Sequence, residues 1–255
     1  SSGKLILQPH YHRYGQNIMR NTLFSLYKVA MLPMILRRFD AIIANSKFEE
    51  DCLKKDFPEI SHKVILIPEE CSIKVPQSLR WCPAEPKRIL YVGALRPYKN
   101  VDILIYAFKI LSTKRKDVRL VIVGDGTERE KLLRLAQRLR VDKYIIWKKN
   151  LTYAELLQEY SRASVVVLLS GLESFSRVAH EAIAVGAPLV VYNHGIFREL
   201  VRKSLAKGVD RLSTVEVSNA ISDVINDIWR PKPTTTIRSI EKYSDLILKV
   251  YRKVL

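Results

Sequence analysis

Short apolar runs alternate with stretches of helical periodicity along almost the whole chain. The runs are rich in Val, Ile, Leu or Tyr and are bounded by Gly, Pro, Asn, Ser or charged residues. Apolar strands separated by helices are typical of a parallel sheet that is covered on both faces, so the pattern predicts a doubly wound α/β fold. The predicted strands are Leu5–Leu7, Ala41–Ala44, Val64–Ile67, Arg88–Val92, Arg119–Val123, Tyr144–Trp147, Val165–Leu169 and Leu189–Tyr192.

Helical patterns occupy the gaps between these strands. Lys131–Arg140 places its leucine and alanine side chains on one face, as an amphipathic helix does. Thr152 and Glu155 have the spacing of a capping box, which predicts a helix that begins there and continues to Ser161. A final helix is predicted around Ile237–Val254.

Two proline-rich stretches divide the chain. Four prolines lie between residues 68 and 86, and a second interruption lies at residues 231–233. Proline-rich stretches with little periodicity are typical of linkers. The sequence therefore predicts a partial N-terminal domain with its linker (residues 1–75), a Rossmann-like domain (76–230) and a C-terminal helix that packs back toward the N-terminal part (231–255).

The chain is strongly basic, with 43 Lys and Arg against 26 Asp and Glu and a formal net charge of +17. Residues 1–39 contain no acidic residue at all. A nucleic-acid partner is not expected, because no recognisable binding motif accompanies the charge. Two alternatives stay open: residues 17–38 could form an amphipathic segment at a membrane surface, or the charge is a solvated Lys/Arg-rich surface.

The cysteines and the hydropathy favour a reducing compartment. Cys52, Cys71 and Cys82 are odd in number and have no C-x-x-C spacing, which makes a disulfide framework or a cysteine-rich zinc site improbable. No apolar run reaches the roughly 18 residues that a membrane span needs. We therefore expect a cytoplasmic location or a position at the inner membrane surface.

One stretch, from Ser170 to Pro188, suggests a ligand site. It follows a predicted strand and runs into a predicted helix, where the carboxyl end of a strand and free helix N–H groups meet. Such N–H groups suit a phosphate, whereas Glu173 and Glu181 suit hydroxyl groups. An anion flanked by hydroxyls suggests a nucleotide-sugar; the alternative is a surface helix with two incidental glutamates.

Several segments fit one family in the same order. Ile89–Phe108 is similar to a strand, glycine loop, lysine and helix, Leu120–Gly126 to the next strand with its Gly-x-Gly turn, and Glu173–Glu181 to an E-x7-E motif. Upstream, Phe39–Ser46 and Lys63–Pro68 are similar to the end of a first domain and the entry to a linker. Together these segments resemble glycosyltransferase family 4, the retaining enzymes of the GT-B fold.

The resemblance implies roles for matched residues. Glu181 would hold the ribose hydroxyls, Glu173 would lie near the hydroxyls of the donor sugar, and Lys99 would offset charge on the leaving diphosphate. Without the family, Lys99 would be taken for a solvated loop lysine. The remaining donor-binding residues are Gly93, which alternatively only closes a turn, Arg96, Phe175, Ser176, Arg177 and Val178.

The resemblance implies a catalytic set of three residues, Lys99, Glu173 and His10. The last of these is a histidine near the start of the sequence. Leu5–His12 resembles a strand of the first domain that ends in a histidine facing the donor sugar; His10 aligns best and His12 next. The alternative is a loop histidine with no task. Complete family members carry further strands before this point, so the sequence resembles a member that lacks the front part of its N-terminal domain.

The chain also departs from the family pattern at several positions. Ala94 takes the place of an arginine that Arg96 could replace, and Ser176 takes the place of a glycine. Lys148 stands where a glycine is common, and Glu69 stands where the family tends to have asparagine. Each departure weakens an expected contact without removing the expected fold.

The resemblance implies a metal-independent, retaining glycosyltransferase without a cofactor. Its donor would be a UDP- or GDP-linked sugar and its acceptor a hydroxyl of a saccharide or a lipid-linked molecule. The sequence contains no Asp-x-Asp pair, P-loop or G-x-S-x-G elbow, which argues against metal-dependent transferases, P-loop NTPases and hydrolases of that type. The alternatives are a non-catalytic nucleotide-binding module and a charge-driven membrane-surface binding protein.

Overall fold

The computed structural model describes residues 3–11, 25–68, 75–76, 78–232 and 240–254. The chain divides into two compact units. The first unit comprises residues 1–74, 172–176 and 236–255, and the second comprises residues 75–171 and 177–235. All strand pairs of the described residues are parallel, which confirms the predicted α/β class with two Rossmann-like sheets.

The first unit contains a three-stranded sheet in the order β1-β2-β3. Its strands are β1 (Ile6–Leu7), β2 (Ala41–Ala44) and β3 (Val64–Leu66). The described helices of this unit are α1 (residues 25–30), α2 (Leu32–Arg37), α3 (Lys47–Asp56) and α10 (Ile240–Val254), with a 3-10 turn at Pro58–Lys63.

Alternating side chains of β2 send apolar groups to both faces of this sheet, as the two-residue period of a strand requires. Ile42 and Ala44 pack with Leu53 of α3 on one face. Ala41 and Ile43 pack with Val250 of α10 on the other face. The C-terminal helix is therefore part of the first unit and covers the face of the sheet opposite α3.

The second unit contains six parallel strands in the order β6-β5-β4-β7-β8-β9. The strands are β4 (Lys87–Val92), β5 (Val118–Val123), β6 (Ile145–Lys148), β7 (Val165–Leu168), β8 (Leu189–Tyr192) and β9 (Lys207–Val209). The helices are α4 (Val101–Lys114), α5 (Arg129–Arg138), α6 (Tyr153–Arg162), α7 (Arg177–Val185), α8 (Phe197–Arg202) and α9 (Thr214–Ile225).

All eight predicted strands are present, and so is the predicted capping box of α6. Thr152 accepts a hydrogen bond from the Glu155 backbone while the Glu155 side chain accepts from the Thr152 backbone. The ninth strand, Lys207–Val209, escaped prediction because only one of its three residues is a large apolar side chain. The helix predicted at 131–140 lies two residues earlier, and the described part of the last helix begins at Ile240.

A buried ion cluster joins α6 to the sheet of the second unit. Glu159 of α6 is buried and accepts from Arg88 of β4 at 2.6 Å and from Lys148 of β6 at 2.8 Å. A buried carboxylate needs such partners, because removing it from water without them is costly. Lys148, one of the departures from the family pattern, thus has a structural partner in this chain.

The loops that follow β4 and β5 touch through their backbones. The Gly93 and Leu95 amides donate to the carbonyls of Val123 and Asp125 at 3.0 and 2.9 Å. At Gly124, where φ is +148°, a Cβ atom would lie 2.0 Å from the Gly93 carbonyl oxygen. Only glycine allows this approach, both for its conformation and for its size.

We expect Gly124→Ala to lower the free energy of unfolding by about 2–4 kcal/mol, because it adds backbone strain and a steric overlap. Urea unfolding followed by circular dichroism measures the change. The matched control is Gly171→Ala, since a Cβ there meets only the Tyr192 ring at 3.9 Å. An equal loss in both variants would contradict the close packing of the two loops.

Candidate functional site

The strand order locates a candidate site in the second unit. The chain builds β4, β5 and β6 outward on one side of the sheet and then returns to place β7 on the other side of β4. The connections that leave β4 and β7 therefore diverge, and ligands of open α/β sheets bind at the carboxyl ends of the strands at such a switch point. The two predicted donor-binding segments follow these two strands.

The β4 loop is held by its own hydrogen bonds. The Tyr91 hydroxyl donates to the Ala94 carbonyl at 3.0 Å. Gly93 has φ of +146°, and a Cβ at that position would lie 3.1 Å from the Tyr91 hydroxyl. The backbone conformation of Gly93 therefore favours glycine, and the close approach of Tyr91 adds to that preference, whether or not Gly93 also approaches a ligand.

Lys99 and Arg96 lie in different surroundings on this loop. Arg96 is exposed, whereas Lys99 is half-buried and its ammonium lies 5.3 Å from the centre of the Tyr98 ring. The next residue, Asn100, donates its side-chain amide to the Leu169 carbonyl at 2.8 Å. The loop that carries Lys99 is therefore anchored to the end of β7, where the E-x7-E segment starts.

The E-x7-E segment is divided between the two units. Glu173, Phe175 and Ser176 belong to the first unit, where the Ser46 hydroxyl donates to the Ser174 carbonyl at 2.7 Å. The helix α7 begins at Arg177 in the second unit. Ser176, which replaces a glycine of the family pattern, is buried.

Glu181 lies on the second turn of α7, in the second unit, and its side chain has defined hydrogen-bond and charge partners. Its side chain accepts a hydrogen bond from the Tyr160 hydroxyl of α6 at 3.0 Å. Arg177, one turn earlier, places its guanidinium 3.8 Å from the other carboxylate oxygen. The residue is only 4% exposed. The carboxylate is therefore held in place by two neighbours while retaining acceptor capacity for a pair of hydroxyl groups.

Burial controls the ionisation of Glu181 and of its partner Tyr160. It raises the pKa of Glu181, and the Tyr160 hydrogen bond and the Arg177 charge offset only part of that rise. Burial and the neighbouring Glu181 charge raise the pKa of Tyr160 far above its ordinary value. Tyr160 therefore stays a neutral hydroxyl and a hydrogen-bond donor at any physiological pH.

His10 lies in the first unit, just after β1, with a left-handed backbone (φ +49°). Its Nδ1 atom lies 3.1 Å from the side-chain nitrogen of Asn45. Both Asn45 and the nearby Glu49 are fully buried. The other candidate, His12, lies outside the described residues.

The structure thus groups the predicted residues into two sets. Within the second unit, the β4 loop carries Gly93, Arg96 and Lys99, and α7 carries Arg177, Val178 and Glu181. The first unit carries His10, Glu173, Phe175 and Ser176. Three neighbours of these residues, Tyr160, Asn45 and Glu49, are absent from the sequence-based prediction. No motif marks Tyr160, which lies 21 residues before its partner, whereas the Asn45-Ser46 pair after a buried strand was a usable signal.

The described ranges contain no cluster of three or more His, Cys, Asp or Glu side chains able to hold a metal ion. Among the helices of these ranges, none combines the length and the apolar character that crossing a membrane requires.

Comparison with known proteins places this arrangement in a family. Residues 82–230, which include the whole sheet of the second unit, match the family described as glycosyl transferases group 1. The chain is 32% identical over 173 residues to a glycogen synthase of Mycobacterium tuberculosis, a match that covers 68% of this chain and 42% of the relative. It is 28% identical over 207 residues to a D-inositol 3-phosphate glycosyltransferase of Segniliparus rotundus, covering 76% and 42%.

Solved structures agree in fold. Staphylococcus aureus TarM matches with a TM-score of 0.75 at 16% identity, over 98% of this chain and 50% of that one. Anabaena HepE in complex with UDP-glucose matches with a TM-score of 0.74 at 18% identity, over 98% and 72%. The chain spans less than half the length of the curated relatives named above. Because the family match covers more than half of the chain, this chain belongs to the group 1 glycosyl transferases.

Proposed function

We propose that the protein transfers a sugar from a nucleotide-diphosphate-sugar to a hydroxyl acceptor, with retention of anomeric configuration and without a metal ion or cofactor. The observation that carries this proposal is Glu181, a buried carboxylate oriented by Tyr160 on the helix that follows β7. This site lies where a doubly wound sheet binds ligands. Two acceptor oxygens suit the paired hydroxyls of a ribose.

The diphosphate would be bound by main-chain and lysine groups. The backbone of residues 175–178 leads into the first turn of α7, whose amides and dipole favour an anion. Lys99 would stabilise the negative charge that develops on the departing diphosphate, with Arg96 as a second cation. These cations and amides supply the charge compensation that a divalent ion provides in metal-dependent transferases.

The sugar contacts are proposed from the family resemblance alone. In this proposal Glu173 accepts hydrogen bonds from the hydroxyls of the donor sugar, and His10 binds a sugar oxygen. The support for both assignments is the match of their positions to the E-x7-E motif and to the first-domain histidine of the family. The acceptor attacks as the diphosphate departs, and no protein nucleophile is assigned.

Structural neighbours support uridine as the base. HepE was solved with UDP-glucose and pneumococcal GtfA with UDP and GlcNAc, although at 18% and 17% identity they share with this chain only the fold. The curated relatives carry different names, among them a glycogen synthase and a D-inositol 3-phosphate glycosyltransferase, and so support no single acceptor. We therefore propose UDP-sugar ahead of GDP-sugar and leave the acceptor as a saccharide or lipid-linked hydroxyl.

A second candidate function is nucleotide binding without transfer. It is favoured by Ala94, which is exposed at the position where the family pattern has an arginine. Such a module would bind UDP and never consume UDP-sugar. Release of UDP from a UDP-sugar by the unaltered protein excludes this candidate.

Glu181→Ala should weaken UDP binding by about 10- to 100-fold, because hydrogen bonds to a charged group contribute roughly 1.5–3 kcal/mol. Calorimetric titration with UDP, GDP and ADP measures the affinity and identifies the base. The matched control is Glu130→Ala, an exposed glutamate of α5. Unchanged UDP affinity in Glu181→Ala would overturn the assignment of this site.

The same titration should depend on pH. Hydroxyl groups donate to the ionised carboxylate, so affinity should fall as the pH drops through the pKa of Glu181. Because burial raises that pKa, the fall should begin at a higher pH than an ordinary glutamate would give. The Glu181→Ala variant should lack this fall, and a fall of equal size in the variant would contradict the role of the carboxylate.

Lys99→Ala should reduce the rate of UDP release from a UDP-sugar by roughly 100-fold while changing UDP affinity far less. A group that stabilises the departing charge acts mainly in the transition state. Steady-state kinetics measure kcat, and calorimetry measures Kd. Lys114→Ala, an exposed lysine at the end of α4, is the control. Equal losses in kcat and affinity would count against a transition-state role.

We also propose that helices α1 and α2 dock on a membrane surface that contains anionic lipid. Leu26, Val29, Met31 and Met34 of this segment are between 56% and 79% exposed. The basic residue within the apolar stretch, Lys28, turns inward to pair with Asp56 at 2.7 Å. An exposed apolar face in a segment that is basic and free of acidic residues is complementary to a negatively charged lipid surface.

Val29→Glu together with Met34→Glu should lower binding to vesicles of phosphatidylcholine and phosphatidylglycerol by about tenfold or more, because two apolar anchors are lost. Co-sedimentation measures the bound fraction. The control is Ile228→Glu in the second unit, at 72% exposure. Binding that does not respond to phosphatidylglycerol, or sedimentation equilibrium showing that a second copy covers this face, would overturn the proposal.

A further inference from the structure

The first unit contains a buried polar network with Asn45 at its centre. Asn45 follows β2 directly, and Glu49 lies on the first turn of α3. Both residues are fully buried. A fully buried amide and a fully buried carboxylate must satisfy their polar atoms inside the protein, so the direction of each hydrogen bond can be worked out.

The carboxylate sets the direction of the network. One oxygen of Glu49 accepts from the Tyr11 backbone N–H, and the other accepts from the Asn45 backbone N–H at 2.8 Å. The Asn45 side chain continues this network: its NH₂ end faces the His10 ring and its oxygen faces Gln8.

The other end of the amide is also occupied. The Gln8 side-chain nitrogen donates to the Asn45 carbonyl oxygen and lies 3.3 Å from the Tyr243 hydroxyl of α10. The Asn45 oxygen therefore has a donor of its own. With both ends assigned, turning the Asn45 amide over would set its NH₂ group against the NH₂ group of Gln8.

His10 accepts from the same NH₂ group. Its Nδ1 atom lies 3.1 Å from the Asn45 side-chain nitrogen. A nitrogen that faces an N–H donor must carry a lone pair, so Nδ1 is unprotonated and the ring proton of a neutral imidazole is on Nε2. The two ring nitrogens are thereby distinguished by a residue that lies 35 positions away in the sequence.

The backbone of His10 is held by the same carboxylate. Its φ of +49° is a left-handed conformation that is costly for a residue with a side chain. The next residue, Tyr11, donates its N–H to Glu49 and its hydroxyl to Asp56 at 2.8 Å. Glu49 and Asn45 thus act together, one on the main chain beside His10 and the other on its ring.

We propose that Asn45 is a positioning residue that holds His10 as the Nε2–H tautomer, so that His10 meets its ligand as a hydrogen-bond donor. The ligand chemistry that fits an Nε2–H donor is an oxygen acceptor, such as a sugar hydroxyl oxygen or a phosphate oxygen of the donor. This last step rests on the function proposed above, whereas the tautomer does not. The two can therefore be tested separately.

The tautomer is measured by nitrogen-15 NMR of the imidazole side chains in the full chain at pH 8. Burial raises the pKa of Glu49, so a pH well above the ordinary range of a carboxyl group is chosen to favour its ionised form. The chain has five histidines, and a His10→Gln sample identifies the His10 signals by their loss. We expect Nδ1 to resonate as an unprotonated nitrogen and Nε2 as a protonated one. The reverse assignment would overturn the proposal.

Asn45→Asp tests the cause. The aspartate has the shape of asparagine but accepts where asparagine donates, so it should move the ring proton of His10 to Nδ1. The matched control, Asn219→Asp on the exposed side of α9, should leave the tautomer unchanged. A His10 tautomer that is the same in both variants would overturn the proposal.

In Asn45→Asp the new carboxylate lies beside Glu49, and the repulsion between the two charges could prevent folding. A second variant therefore keeps the test decisive. Asn45→Ala removes the donor without adding charge, and its His10 should show signals of both tautomers in exchange. A single Nε2–H tautomer retained in Asn45→Ala would show that another group holds the ring, and would also overturn the proposal.

The functional consequence is read from UDP-sugar turnover. Asn45→Asp should reduce kcat by roughly three- to tenfold, the size of one misdirected hydrogen bond, while UDP affinity stays within twofold. A changed tautomer with unchanged turnover would sink the role of His10 as a donor. If the unaltered protein does not bind UDP, that result would instead count against the proposed function and leave the NMR result standing.

Discussion

Glu49, Glu159 and Glu181 are buried carboxylates that take hydrogen-bond donors from other elements of the chain, because a buried charge without partners is costly. Glu159 has two cations of the sheet, Arg88 and Lys148, and forms a closed structural cluster. Glu49 accepts from two backbone amides, those of Tyr11 and Asn45, and so holds the turn at His10. Glu181 has one tyrosine hydroxyl and a more distant arginine, which leaves it acceptor capacity. The charges of Glu159 and Glu49 are therefore compensated more completely than that of Glu181. This difference separates the two structural carboxylates from the one that we propose binds a ligand.

The helix α6 connects two of these carboxylates. Its neighbouring residues Glu159 and Tyr160 serve different partners: Glu159 accepts from the sheet, and Tyr160 donates to Glu181 of α7. The capping box at Thr152 begins the helix at a defined residue, so both side chains are presented in a defined direction. A helix that belongs to no ligand motif therefore positions the proposed ribose-binding carboxylate, which explains how residues outside the E-x7-E segment bear on binding.

Close packing constrains the loops at the carboxyl ends of the strands in the larger sheet. The backbone of Gly124 approaches Gly93 too closely for any side chain, and Asn100 ties the β4 loop to the end of β7. These contacts make the glycine positions necessary for packing as well as for any ligand. Gly93, which the family resemblance suggests for donor binding, is thus favoured by the fold itself as well. The departure at Lys148 is explained in the same way, by its pairing with Glu159 rather than by a ligand.

The sequence by itself determined the fold class, eight of the nine strands of the described residues and a likeness to glycosyltransferases, because buried parallel strands are continuous apolar runs and the motifs are local in the chain. It could not reveal β9, whose residues Lys207–Val209 have almost no apolar signal and become a strand only by pairing with β8. Nor could it reveal Tyr160 beside Glu181 or Asn45 beside His10, since these pairs are 21 and 35 residues apart. Only the tertiary structure brings them together, because burial forces distant polar groups to satisfy one another. The direction of those hydrogen bonds, and with it the chemistry of each site, is set by packing rather than by local sequence.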